Sequence, residues 1–358
     1  MSRTQSLPLL AQRRDELSKC AFCPKLCRAT CVVSDAEPRE ALTPWGKMTN
    51  AFDAERSEPD ANRAEVAWGC TGCFRCREAC DHRNPVTETL EDGRADYVEH
   101  GLAPARVQAL LDRRAEIEDA HEAATRSLSG ALGSAEDSAY ALLLGCRYAK
   151  VFPDEARAAL RLSSKLVGPV RLLHGCCGAW QRAAGVPRAA QAAQQRLLGE
   201  LGGRRLLVLD PRCALELSAA EPLTLVELAA RHSHRFQAAA APRAVRYHDS
   251  CALGRGLGLY DEPRQLLSRV TGQAPHELET ARELSRCSGA GGVLPVSMPQ
   301  IAETAGLRLA AEHASLGGGT LVTSCASSLS QLRRSGVDAV DLISLLEASL
   351  SSQRPSDD

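Results

Sequence analysis

The stretch VRLLHGCCGAW, residues 170–180, closes a continuous apolar run with a glycine and two adjacent cysteines, Cys176 and Cys177. Neighbouring Cα atoms lie about 3.8 Å apart, closer than an ordinary disulfide requires. Adjacent residues also rarely fill two corners of one tetrahedral zinc site, whose ligand pairs usually carry spacers. Working outward, AYALLLGC ends at Cys146 in the same manner and RRLLVLDPRC ends at Cys213. Helical stretches separate them, PDEARAALRLSSKL from Pro153 and PRAAQAAQQRLLGEL from Pro187, each with proline at a helix start. Strands alternating with helices indicate a parallel α/β fold.

The pattern then recurs. AVRYHDSC ends at Cys251, a helix opens with DEPRQLLSRV, and ELSRCSGAGG and TLVTSC supply Cys287 and Cys325. The steps from 146 to 176 and from 251 to 287 are comparable, as are those from 177 to 213 and from 288 to 325. This reads as an internal duplication, with FQAAAAPR at 236–243 as the linker. In open parallel sheets, ligand sites form outside the carboxyl ends of the strands. The cysteines of one repeat are therefore expected to project into one crevice. Gly145, Gly175, Gly178, Gly289, Gly291 and Gly292 beside them permit close backbone approach. The bland alternative is that each is a buried core cysteine.

The N-terminal third is different. CAFCPKLCRATC supplies Cys20, Cys23, Cys27 and Cys31, and CTGCFRCREAC supplies Cys70, Cys73, Cys76 and Cys80. The second run has the C-x2-C-x2-C-x3-C spacing of bacterial ferredoxins, in which three thiolates hold one cubane and the fourth serves the other. Cys70, Cys73 and Cys76 are thus paired with Cys31, and Cys20, Cys23 and Cys27 with Cys80. The competing reading is two structural four-cysteine zinc sites. The first run has one extra residue between Cys23 and Cys27, and Val32 and Asp81 stand where proline usually follows the fourth cysteine. Residues 32–69 lack β pattern, so a mainly helical ferredoxin-like domain is expected, followed by a solvated connecting helix over 104–130 ending at Gly130. Trp45 and Trp68 are read as core residues near the clusters, and His100 and His121 as surface residues.

The totals narrow the function. The chain has 358 residues, 15 cysteines, a net charge of −1 and 4% aromatic residues. Near-neutral charge and few aromatics argue against nucleic-acid binding. No run of about 18 apolar residues crosses a bilayer, and no secretory signal is evident. A cytoplasmic location is expected, peripheral to the inner membrane only through a partner. In that compartment clustered cysteines read as metal or redox sites rather than disulfides. GRGLG at 254–258 is not a dinucleotide fingerprint. GAGG at 289–292 is read as a turn shaping the crevice, RHSHR at 231–235 as a solvated face, and the tail from 351 to 358 as disordered.

The two four-cysteine runs, the CCG signature at 176–178 and YHDSCALGR at 247–255 together resemble the heterodisulfide reductase-related iron–sulfur proteins. That family includes the iron–sulfur subunits of glycolate oxidase and of anaerobic glycerol-3-phosphate dehydrogenase. The resemblance spans roughly residues 18–345. It implies C…CCG…CxxC domains whose five cysteines hold a non-cubane cluster, which suits a vicinal pair. Here Glu216 stands at the last position of the first repeat, and Ser288 and Ser328 replace two cysteines of the second. The first repeat therefore retains Cys146, Cys176, Cys177 and Cys213 for a third centre. The second retains Cys251, Cys287 and Cys325, with His248 and Asp249 as neighbours, and Cys176 and Cys177 are the catalytic candidates.

The expected layout is a helical two-cluster domain over 1–103, a connecting helix over 104–134, CCG-type α/β domains over 135–237 and 238–350, and the tail. The expected function is electron transfer through two [4Fe-4S] clusters, with a further iron–sulfur or zinc centre in the CCG-type domains. The resemblance implies a flavoprotein dehydrogenase or oxidase partner and a membrane- or quinone-linked acceptor reached through it. A zinc-stabilised interaction protein and a thiol–disulfide reductase using the CCG crevice are the alternatives.

Overall fold

The computed structural model describes residues 7–132, 135, 137–238 and 243–350. Of the linker read at 236–243, residues 239–242 lie outside the described residues, as does the tail at 351–358, while Phe236 is buried in the core. Between residues 7 and 132 every regular element is helical. The helix Pro44–Arg56 starts where Thr43 accepts a hydrogen bond from Gly46 N–H and proline occupies the first turn. Asp60 caps the helix Ala61–Ala67 by accepting from Asn62 and Arg63 N–H. The short helix Pro8–Gln12 is tied down by buried Asp96, which accepts from Leu9 N–H at 3.0 Å and Leu10 N–H at 2.9 Å. Leu10, Leu17, Met48, Trp68, Leu90 and Tyr97 form its core. Trp68 is thus a core residue, as read from the sequence.

The connecting segment is two helices, Ala105–Asp112 and Arg114–Leu132, and the second runs through Gly130 instead of ending there. A glycine inside a helix costs only about 1 kcal/mol relative to alanine, so it did not stop this one.

The remainder is a mixture of helices with two small parallel sheets. Strands β1 Tyr140–Leu143, β2 Val170–Leu172, β3 Arg205–Val208 and β4 Leu223–Thr224 lie in the order β2-β1-β3-β4. Strands β5 Arg246–His248, β6 Leu321–Thr323 and β7 Ala339–Asp341 form the second sheet in that order. All pairings are parallel. Their apolar runs fit strands covered on both faces. Leu142, Leu172 and Leu207 of one sheet share a single core with Tyr247 and Val322 of the other. Tyr148 donates to Asp341 Oδ2 at 2.6 Å across that core.

One strand expected from the repeat is absent. Residues 282–286, before Cys287, form a 3-10 turn and a loop instead of a strand. The segment is polar, and its hydrogen-bonding groups are engaged elsewhere: Ser285 Oγ donates to Asp249 O at 2.9 Å, and Arg255 donates to Ser285 O at 2.8 Å. Strands β4 and β7, conversely, were not anticipated.

A buried arginine joins these parts. Arg94, 1% exposed, donates to Ala67 O at 2.8 Å, Cys70 O at 2.9 Å, Ala183 O at 2.8 Å and Gly292 O at 3.4 Å. Replacing Arg94 by Leu leaves these carbonyls without their donor. The expected loss is about 3 kcal/mol or more, measured as a lower denaturation midpoint; an unchanged midpoint would show that other donors satisfy them.

Candidate functional site

The cysteines line three cavities. The first, about 80 Å³, is bordered by Cys20, Cys23, Cys27 and Cys80, with Trp45 in its wall. Cys20 ends the helix Arg14–Ala21 and Cys27 lies in a 3-10 turn. Between them Lys25 adopts φ 70°, which turns its N–H toward Cys23 Sγ at 3.4 Å. Asn84 Nδ2 donates to Cys20 Sγ at 2.9 Å. Trp45, read from the sequence as core, forms part of this wall under the Lys25 ammonium, which sits 3.7 Å above its ring.

The second cavity, about 20 Å³, is bordered by Cys31, Cys70, Cys73 and Cys76. Positive φ at Gly72 and Phe74 folds the C-x2-C-x2-C run back on itself, and Gly72 N–H points at Cys70 Sγ at 3.4 Å. Lys47, 2% exposed, donates to Cys31 Sγ at 3.3 Å. Cys31 thus lies beside the second run and Cys80 beside the first. Cys76 borders both cavities.

These thiols are disfavoured as isolated anions. Burial pushes Cys20 up to about 12 and Cys27 to about 11, and it is also the main cause raising Cys70 and Cys76. Contact with Cys287 raises Cys73, and burial adds to the rise. Four crowded, desolvated thiols ionise together only around a cation. The donor set, all sulfur, fits iron–sulfur ligation.

The third cavity is about 460 Å³, and Cys146, Cys176, Cys177, Cys213, Cys251, Cys287 and Cys325 all line it. A separate crevice for each repeat was expected; the structure has one cavity bordered by both, because the two sheets share a core and turn their strand ends inward. Cys146 opens the helix Cys146–Val151, Cys213 lies in Pro211–Glu216, and Cys325 precedes Ala326–Arg334. Among the described residues all are free cysteines.

The vicinal pair divides its contacts. Cys176 Sγ lies 3.4 Å from Cys146 Sγ, while Cys177 makes a thiol contact with Cys213. One thiol of the pair therefore meets the helix after β1 and the other the helix after β3. Gly178 makes this turn with φ 84°, where a Cβ would sit 2.8 Å from Ala190 O. Contacts from the Cys146 and Cys177 thiols hold Cys176 well below the usual thiol range, with Gly178 N–H adding to them. Of this row, Cys176 is the thiol most ready to ionise.

Several expected neighbours point elsewhere. Glu216 pairs with Arg182 and Arg212, each at 3.0 Å. His248 is held by Arg286 O at 3.0 Å and Thr323 Oγ1 at 3.2 Å, and Asp249 by a bidentate pair with Arg264. The reading of His248 as a strand-end residue bonded to its neighbours agrees with this. His121, expected at the surface, instead lines the cavity with a buried Nδ1 that has no hydrogen-bond partner. Arg147, Lys150 and Trp180 line it too and were not singled out from the sequence. Ile117 and His121, one helical turn apart, were the available signal for that face.

The second and third cavities touch. Thr71 borders both, and its Oγ1 lies 3.7 Å from Cys287 Sγ. Cys287 is also in thiol contact with Cys73. The GAGG segment makes this approach close: a Cβ on Gly291 would fall 2.4 Å from Thr71 O, and one on Gly292 2.3 Å from Cys70 O. It is a turn shaping the crevice, as expected.

Residues 16–84 match the 4Fe-4S dicluster domain family, and residues 245–333 match the CCG cysteine-rich domain family. The chain is 25% identical over 332 residues to the D subunit of dihydromethanophenazine:CoB–CoM heterodisulfide reductase from Methanosarcina mazei, covering 80% of each chain. It is 26% identical to the B subunit of the fumarate reductase (CoM/CoB) from Methanothermobacter marburgensis, over 83% of this chain and 64% of that one. It is 27% identical to EtfAB:quinone oxidoreductase of Syntrophomonas wolfei, over 68% of this chain and 40% of that one. The resemblance read from the motifs is therefore borne out. The chain carries an iron–sulfur dicluster domain and a CCG cysteine-rich domain, and its role is electron transfer.

Lys47 gives this site a test. Replacing it by Met removes a buried positive charge and a donor to Cys31 Sγ, so the more negative, reduced state loses stabilisation. A loss of about 1.4 kcal/mol lowers a one-electron potential by about 59 mV. EPR-monitored redox titration at unchanged iron content reads the shift; an unshifted potential would remove Lys47 from the tuning of this site.

Proposed function

We propose that the chain is a subunit that carries electrons between two [4Fe-4S] clusters and a redox centre in the central cavity. The observation that supports this is the continuity of the three cavities: Cys76 borders the first and second, and Thr71 borders the second and third. In this reading Cys20, Cys23, Cys27 and Cys80 hold one cluster, and Cys31, Cys70, Cys73 and Cys76 hold the other. Such clusters supply reversible one-electron storage. The chain's own residues do the rest. Asn84 and Lys47 donate to ligand sulfurs, Trp45 helps to cover one site, and Arg94 holds the Cys70 loop against Gly292.

The row of Cys146, Cys176, Cys177 and Cys213 is the candidate for a third metal centre, of iron–sulfur or zinc type. The division into a two-cluster domain over 1–103, a connecting segment over 104–134 and CCG-type domains over 135–237 and 238–350 belongs to the same proposal. Among the described residues no helix is long and apolar enough to cross a membrane. The relatives named as subunits, and the one named as a quinone oxidoreductase, support a role within a larger redox complex. A flavoprotein dehydrogenase or oxidase is the proposed electron-exchange partner, in the cytoplasm or at the inner membrane through that partner.

Anaerobic purification followed by iron, zinc and acid-labile sulfide assays tests the reading. The expected result is a brown protein with about eight irons per chain from two four-iron clusters, and more if the central cavity is filled. A colourless protein containing zinc and no sulfide would overturn it in favour of a structural role. Cys73→Ser is expected to disrupt one cluster and slow electron transfer to an artificial acceptor; an unchanged rate would count against the route.

A further inference from the structure

The stretch YHDSCALGR at 247–255 ends in an arginine that the sites described so far do not use. Arg255 lies in the π-helical turn Ala252–Gly256 that follows Cys251, and it is only 5% exposed. A guanidinium carries five N–H donors, no acceptor and a permanent charge. Burying one is costly unless its donors are satisfied. Here Nε donates to Cys73 O at 2.7 Å, and Nη1 donates to Glu283 O at 3.1 Å and to Ser285 O at 2.8 Å. A reciprocal bond comes from the second four-cysteine run. Arg77 Nη2, in the helix Arg75–Glu78, donates to Arg255 O at 2.6 Å. Arg255 therefore stands at the junction of two sites. It is tied to a cysteine of the second cavity and to the loop that leads into Cys287 of the central one.

The remaining guanidinium nitrogen has no such place. Nη2 of Arg255 is buried and has no hydrogen-bond partner. Nε and Nη2 share one edge of the guanidinium, with parallel N–H bonds. Arg264 uses that edge on Glu277, with Nε to Oε1 at 2.7 Å and Nη2 to Oε2 at 2.8 Å. In Arg255 the Nε of this edge is bonded to Cys73 O, so the N–H of Nη2 beside it faces the same segment. A buried cation thus turns an edge with one free donor toward a cysteine of the second site. The acceptor that suits this donor is an anionic sulfur, the form in which Cys73 would serve as a ligand.

We propose that Arg255 is a positioning residue for the site of Cys31, Cys70, Cys73 and Cys76. Its Nε holds the Cys73 carbonyl, its Nη2 faces the Cys73 thiolate, and its charge favours the reduced state of the cluster held there. The inference rests on the iron–sulfur reading of that site. Reduction adds one negative charge, and a permanent positive charge buried beside Cys73 makes that addition more favourable. Lys47 acts in the same sense at Cys31. The charge of Arg255 comes from the second repeat, so that repeat biases electrons toward the site adjoining the central cavity.

The test uses the full chain, purified anaerobically with its iron, and the variants Arg255→Gln and Arg255→Lys. Iron and sulfide are assayed first, and the potential of each cluster is then read by EPR-monitored titration. Arg255→Gln is expected to shift the reduction equilibrium of one cluster at least tenfold toward the oxidised form, about 59 mV for one electron. The other cluster stays unmoved and iron equals wild type. Arg255→Lys keeps the charge without the fork and is expected to recover most of the shift. A merely structural tie would not separate the two variants, since neither reproduces the three carbonyl bonds. Equal potentials in wild type and Arg255→Gln at full iron would overturn the proposal, as would an equal shift in both variants. Should Arg255→Gln lose about four irons per chain, Arg255→Lys decides: full iron with a near-wild-type potential supports the proposal. Iron loss in both variants, or full iron with a tenfold shift in Arg255→Lys, overturns it. A wild type that holds zinc and no sulfide would instead overturn the electron-transfer reading itself.

Discussion

A single buried guanidinium holds the functional parts in register. Arg94 gathers carbonyl oxygens from the end of the helix Ala61–Ala67, from Cys70, from Ala183 and from Gly292. Those four points belong to the helical N-terminal part, the four-cysteine loop, the first sheet's helices and the glycine turn after Cys287. Burying a guanidinium is costly unless its donors are satisfied. Satisfying it fixes segments nearly 200 residues apart in sequence. The glycines at 291 and 292 complete the joint, since any side chain there would meet Thr71 or Cys70 carbonyl oxygen. The adjacency of the second and third cavities follows from this joint.

The cysteine environments are tuned by what surrounds each sulfur. Where thiols are buried without nearby donors, burial dominates and the protonated form is favoured, as at Cys76. Where thiol and backbone donors converge, the anion is favoured, as at Cys176. The same physics places donors at Cys20 and Cys31, from Asn84 and Lys47. Sulfur-directed donors of this kind are among the features that set cluster potentials, so the two cavities are expected to differ electronically although each is bordered by four principal cysteines. The vicinal pair is the local extreme: adjacent residues point their thiols to different strand ends, and only a left-handed residue at 178 allows the chain to continue into the helix Ala179–Ala184.

Local pattern made much of this legible. The spacing of Cys70, Cys73, Cys76 and Cys80 is set within one turn and a short helix, so three of them turn toward one cavity, as the run itself indicates. The apolar runs before Cys146, Cys176 and Cys213 are strands because parallel, doubly covered strands need such runs. What could not be read was tertiary. Nothing near Cys287 indicated that its strand would be replaced by a loop held by Asp249 and Arg255. His121 shares only a helical face with Ile117, a faint sign that this helix would form a wall of the cavity. The merging of two crevices into one depends on the shared core of the two sheets, a contact between residues such as Leu142 and Val322 that no motif marks.

The two repeats also differ in what stands at the positions that the resemblance assigns to cysteine: Ser288 and Ser328 in one, Glu216 in the other. A cysteine-to-serine change in a buried metal site leaves a hydroxyl that must find a partner, at a cost of about 1–3 kcal/mol if it does not. Changing one position alone would incur that cost. At 288 and 328 both positions carry serine, and the two hydroxyls meet at 3.1 Å. The pair thus removes two soft ligands and returns one hydrogen bond, keeping the loop before Leu294–Ser297 against the helix Ala326–Arg334. The first repeat resolves its missing cysteine differently: Glu216 is drawn away from the cavity by Arg182 and Arg212. The first repeat brings Cys146, Cys176, Cys177 and Cys213 to the cavity and the second brings Cys251, Cys287 and Cys325. The walls thus differ in their polar contacts as well as in their thiols: one holds the Ser288–Ser328 hydrogen bond and the other holds Glu216 in ion pairs.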